Sequence, residues 1–210
     1  GVLDLILFLA AINLIASMYN AALPAMLLSR PGGGEAVLGL VETVTGLASL
    51  AGSLLASALP EPRSRVRVIC NSLLVSMSTE NLLLALGRGP GVWCLGAVLG
   101  WTLIPVMNTN MNALLRLRIP VEMQGRVYAA RNTLQFFTIP LGYLLGGVLV
   151  DRFFEPLMAA QEPGSPLAAL LGTGKGSGAA ALFLVIAGAG AAVCLLFRRD
   201  RHLWELEERG

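Results

Sequence analysis

The stretch "LRLRIPVEMQGRVYAARN", Leu115–Asn132, decides how this chain is read. It holds Arg116, Arg118, Arg126, Arg131 and Glu122, while the sequence on either side is apolar for long runs. The chain has 210 residues, of which 55% are hydrophobic and only 13% charged, and its mean hydropathy is +0.71. A soluble domain carries about 25% charged residues. The apolar blocks are about 20 residues or longer, enough to cross the hydrocarbon core as helices. The charged stretch is therefore expected to be a loop between two membrane spans.

Working outward gives an all-α polytopic membrane protein with six spans, at about 3–28, 36–59, 68–86, 91–115, 127–150 and 179–197. The breaks "SRPGGGE", "LPEPRSRVR" and "GRGPG" carry turn residues, and a loop of about 28 residues is expected from Asp151. The net charge of +2 is too small to suggest a nucleic-acid partner. Cys70, Cys94 and Cys194 lie in or beside apolar runs without metal-ligand spacing, and the one histidine, His202, is in the tail. They are read as packed thiols, with no metal or cofactor expected. The opening "GVLDLILF" has no initiator methionine and no signal-peptide pattern, so the chain is read as entered partway through.

Arginine placement sets the expected orientation. The loops near 60–67, 116–126 and 198–201 hold Arg63, Arg65, Arg67, Arg116, Arg118, Arg126, Arg198, Arg199 and Arg201. The alternate loops hold only Arg30, Arg88, Arg152 and Lys175; Arg131 lies inside a span and Arg209 in the distal tail. The first group marks the cytoplasmic side, with both ends of the chain on it and the protein in the cell (inner) membrane. The tail "RRDRHLWELEERG" reads either as a short helix that lays Leu203 and Trp204 on the membrane surface or as a solvated tail.

Polar residues inside spans repeat at helical spacing. Asn13, Ser17, Asn20 and Pro24 share one face of the first span; Glu42, Gly46, Ser49, Ser53 and Ser57 share one face of the second. Trp101, Pro105, Asn108 and Asn112 do so in the fourth, and Tyr128, Arg131, Gln135, Thr138, Gly142 and Gly146 in the fifth. The third span is mostly apolar until it ends in "SMSTEN", with Glu80 and Asn81. Small residues, including Gly96-x-x-x-Gly100 and Gly142-x-x-x-Gly146, fit close helix contacts. An ionisable residue at a helix centre costs roughly 2.5–3.5 kcal/mol or more, so Glu42 and Arg131, and Glu80 near the outer end of its span, call for a polar path, a structural partner or a place near the interface where they can snorkel. The loop "GTGKGSG" lacks the P-loop pattern and reads as a linker, and no catalytic set can be assembled around a single histidine, so no enzyme is read here.

The segment "IPVEMQGRVYAARNTLQFFTIPLGYLLGGVLVDRFFEP" resembles the region between the tenth and eleventh helices of the major facilitator superfamily, nearest its drug-efflux, macrolide efflux-like group. The resemblance rests on Pro120, Glu122, Gly125, Arg126 and Val127, and on a helix end at Asp151-Arg152 before "FFEP". The "LPEPRSRVR" loop keeps only the basic cluster of that superfamily's signature loop. The resemblance implies the C-terminal six-helix half of a twelve-helix secondary transporter, with the N-terminal half as partner. The function implied is proton-coupled export of amphipathic small molecules. Asn13, Asn20, Glu42, Trp101, Asn108, Asn112, Arg131 and Gln135 would line its cavity, and Glu42 would carry the proton. Glu122 and Arg126, with Arg116 or Arg118, would latch the cytoplasmic side. An uptake permease and a non-transporting scaffold that self-associates are the alternatives.

Overall fold

The computed structural model describes residues 2–162 and 164–208; Gly1, Pro163, Gly210 and the tail arginine Arg209 lie outside them. The described residues form helices and connecting turns, with no strand. The helices are α1 (Val2–Ser29), α2 (Glu35–Ala58), α3 (Arg65–Leu86), α4 (Pro90–Arg118), α5 (Val121–Ala159), the short α6 (Pro166–Leu171), α7 (Ser177–Arg198) and α8 (Arg201–Glu208). Six of them, α1 to α5 and α7, are long and apolar enough to cross a membrane.

Two expectations are corrected. The charged stretch is not a loop: α4 runs to Arg118 and α5 starts at Val121, with Ile119-Pro120 between them. Pro120 fixes an extended turn and is tolerated just ahead of the first helical residue, where no helical N–H is required. The span expected to end at Asp151-Arg152 instead continues through a π-helical turn, Val150–Phe154, to Ala159. The connection from there to α7 is shorter than the expected loop and contains α6, whose first turn is capped by Ser165 accepting from the Ala168 N–H at 3.2 Å. Glu155 ties the extension of α5 to the start of α7, accepting from the Gly176 N–H at 2.8 Å.

α1 packs along α5 on one side and α7 on another; α3 packs on α4 and α7, and α2 on α4. One apolar cluster gathers Tyr19, Leu84, Trp93 and Phe183 toward one end. A second gathers Leu5, Phe8, Ile69, Leu115 and Leu203 at the arginine-rich end. α2 buries little, chiefly Val41, Ala48 and Gly52, and turns Leu47, Leu50 and Leu54 outward. Lipid tails are as apolar as leucine, so such outward residues suit a bilayer.

Each end has its own fastening. At the arginine-rich end, α8 docks onto the bundle rather than lying on a membrane surface: Leu203 is buried among Leu5, Phe8 and Val66, and the Trp204 indole donates to the Arg198 carbonyl at 2.8 Å. Glu207 caps the start of α3, its carboxylate accepting from the Ser64 hydroxyl at 2.7 Å and the Val66 N–H at 2.8 Å. Arg118 at the end of α4 donates to the Glu207 carbonyl at 3.1 Å. Orphan N–H groups at a helix start are thus satisfied from another helix. At the opposite end Arg30 donates to the carbonyls of Ala85, Gly87 and Leu171, drawing together the ends of α1, α3 and α6. Burial, with Arg88 nearby, lowers the pKa of that guanidinium from its ordinary value.

Candidate functional site: a polar cavity among four spans

A cavity of about 250 Å³ lies among α1, α3, α4 and α5. Its position reflects breaks in helix regularity. Pro105 has no N–H for the Trp101 carbonyl, and its ring crowds that carbonyl. The α-helix is interrupted at Thr102, with Trp101 at the break. On the facing helix, Ser76–Glu80 form a π-helical turn, a feature frequent at functional sites. The two irregular segments meet. A Cβ on Gly100 would overlap the Glu80 carboxylate, so Gly100 provides the slot into which Glu80 fits.

Glu80 is only 6% exposed and lines the cavity. By the helical rise it sits about 9 Å inside the end of α3. Its Oε1 accepts from the Tyr19 hydroxyl at 2.7 Å and the Trp101 indole N–H at 2.9 Å. Asn81, 1% exposed, donates to the Met77 carbonyl at 2.6 Å, and its Oδ1 meets no donor.

Of the expected cavity residues, Asn13, Asn20, Trp101, Asn108, Arg131 and Gln135 line this space. Asn13 donates to the Thr138 hydroxyl at 2.8 Å and the Gln135 carbonyl at 3.2 Å, so it also fastens α1 to α5. Asn112 lies outside the lining but is joined to it, accepting from Arg131 at 3.3 Å; the Arg131 Nε has no partner. Glu42 is placed on an exposed face of α2 and is not a lining residue; Gly46, Ser53 and Ser57 of its stripe are exposed too. The close contact of α2 comes from Gly52, where a Cβ would overlap the Thr102 carbonyl of α4.

The expected latch residues lie on helices, not in a loop. Glu122, Arg126 and Arg116 are exposed, and no ion pair joins them among the described residues; Arg118 is the one engaged, through α8.

Sequence spacing missed Glu80, Asn81 and Tyr19 as site residues. Tyr19 lies off the polar face of α1, and α3 has no repeating stripe. The usable signal was chemical: Tyr and Trp inside apolar spans carry O–H and N–H groups that need a buried acceptor.

The fold and cavity define a helical protein with six spans apolar enough for a membrane and, among four of them, a chamber lined by both polar and apolar side chains. Comparison with models of protein families, with curated proteins and with solved structures returned no match.

Proposed function

We propose that this chain is the C-terminal six-span half of a secondary transporter of the major facilitator type, in the drug-efflux group. It exports amphipathic small molecules in exchange for protons by alternating access. The observation that carries the reading is the cavity at membrane depth with Glu80 in its wall. A lone ionised carboxylate removed from water costs several kcal/mol unless balanced, so Glu80 is suited to exchange a proton for another positive group. The six spans and the resemblance of the Pro120–Val127 segment support the fold assignment. The exposed Glu42, Ser53 and Ser57 on α2 suit a partner half that supplies polar groups rather than lipid. In this reading the arginine-rich end is cytoplasmic.

The test is proton-driven efflux of amphipathic dyes from inverted vesicles carrying the full-length transporter. Glu80→Gln should abolish pH-gradient-dependent transport, with the protein still present in the membrane, while Glu42→Gln retains it. Proton-driven transport by Glu80→Gln would remove Glu80 from the coupling path. An absence of efflux from the unmodified protein over a broad dye set would remove the exporter reading.

A further inference from the structure

We propose that the groove along the last turns of α4, between Arg65 and Arg116, is a binding site for the headgroup of an anionic phospholipid. The inference stands apart from the transport reading and needs only a chain that spans a bilayer.

The groove exists because two neighbouring helices end at different levels. Gly52 of α2 lies against Thr102 of α4. Beyond that contact α2 stops at Ala58, while α4 runs on to Arg118. A cavity of about 480 Å³ occupies the stretch that α2 leaves uncovered, lined by Glu61, Arg65, Thr109, Asn112, Arg116 and Leu117. Thr109, Asn112 and Arg116 recur at steps of three and four, so they share one face of α4. By the helical rise that face extends from about 3 Å to about 13 Å inside the end of the helix. Headgroups give way to acyl chains over such a depth.

The lining offers positive charge and donors. Arg65 is held in place: its guanidinium donates to the Oδ1 of the buried Asn110 at 3.4 Å and pairs with Glu61 at 3.2 Å. The Arg65 side chain is 17% exposed and that of Glu61 89%, so this pair is a weak one on its acidic side. Arg116 is exposed, and no ion pair joins it among the described residues. Asn112 gives its carbonyl oxygen to Arg131 at 3.3 Å, which leaves its amide N–H groups to offer. Thr109 adds an exposed hydroxyl. Two guanidiniums from different helices, with short polar side chains between them, suit the oxygens of a phosphate.

The apolar neighbours select a lipid over free phosphate. Leu117 in the groove, Leu59 just ahead of Glu61 and Leu55 one turn earlier are all exposed. A molecule that carries both a phosphate and acyl chains satisfies the arginines and covers the leucines together. Basic pockets between membrane helices take anionic headgroups in this way.

The experiment is a lipid titration of the full-length protein in a neutral detergent, read by native mass spectrometry. The probe is dioleoylphosphatidylglycerol, compared with dioleoylphosphatidylcholine and with free glycerol phosphate. The anionic lipid is expected to bind at least about fivefold tighter than the zwitterionic one. Arg116→Gln and Arg65→Gln should each weaken it by about fivefold. Glu61→Gln should strengthen it by about twofold or more, because it frees Arg65. Arg199→Gln removes an exposed arginine of the same end outside the groove and should change it by less than about twofold. Arg116 and Glu61 are exposed, so their variants keep the proposal testable should Arg65→Gln fail to fold. Equal binding of the two lipids, unchanged affinity in Arg116→Gln, or an equal loss in Arg199→Gln overturns the site. Displacement of the lipid by equimolar glycerol phosphate overturns the lipid as its ligand. Absence of lipid from the full-length protein overturns it too, and gives the groove to an acidic group elsewhere in the protein.

Discussion

Two seams of this bundle use the same Gly-x-x-x-Gly spacing for different ends. On α5, Gly142 and Gly146 bring the helix against α1: a Cβ on Gly142 would overlap Ser17 and the Leu14 carbonyl, and one on Gly146 would press on the Met18 backbone. On α4, Gly96 and Gly100 face α3. A Cβ on Gly96 would crowd the Glu80 carbonyl, while one on Gly100 would overlap the Glu80 carboxylate. The first seam brings two backbones together; the second opens a slot for a carboxylate. The spacing creates room, and the residue opposite decides what the room is for.

The comparison can be broken most directly at the first seam. Gly142→Leu must force α5 away from α1, where the neighbours are the Ser17 Cβ and the backbone of Leu14 and Met18. It is expected to leave no folded protein by fluorescence-detected size-exclusion chromatography. A monodisperse Gly142→Leu protein would mean that the α1–α5 seam is not close-packed.

At the second seam Gly100→Ala should be milder, because the obstructed group is a side chain. Overpacking of this kind costs about 1–3 kcal/mol. In a Glu80→Ala background the same change should cost markedly less, and a double-mutant cycle by thermal unfolding in detergent measures the difference. Strict additivity would show that Gly100 does not serve the carboxylate.

Asn13 links the seam to the cavity. Asn13→Ala loses its bonds to Thr138 and Gln135. Hydrogen bonds between membrane helices are worth about 1 kcal/mol each, so unfolding should shift by about 1–2 kcal/mol. Smallest of all is Glu42→Gln, exposed on α2. It should change the stability of this chain by no more than about 0.5 kcal/mol. A larger shift would give Glu42 a partner within the chain.

Much of the fold was legible because a bilayer imposes a one-dimensional rule: about 20 apolar residues make a span. Five of the six spans lie within about three residues of the expected bounds, α5 runs longer at both ends, and the polar faces of α1, α4 and α5 supplied Asn13, Asn20, Trp101, Asn108, Arg131 and Gln135 to the cavity lining. The same spacing failed for α2, whose stripe is exposed, and for α3, whose cavity residues form no stripe. It also failed at the charged stretch. Arginines that mark a membrane boundary do not say whether the backbone there is helical, and here nearly all of it is.

By itself, then, the sequence determined the class, the number of spans and the faces on which polar groups lie, because hydropathy and helical period are local properties. Only the tertiary structure decided that Glu80, not Glu42, stands in the cavity wall. Tyr19, Glu80 and Trp101 lie far apart in the chain, and they meet because the π-helical turn of α3 rests against the break before Pro105. Which helices are neighbours, and where their irregularities coincide, is a matter of packing that no local spacing encodes.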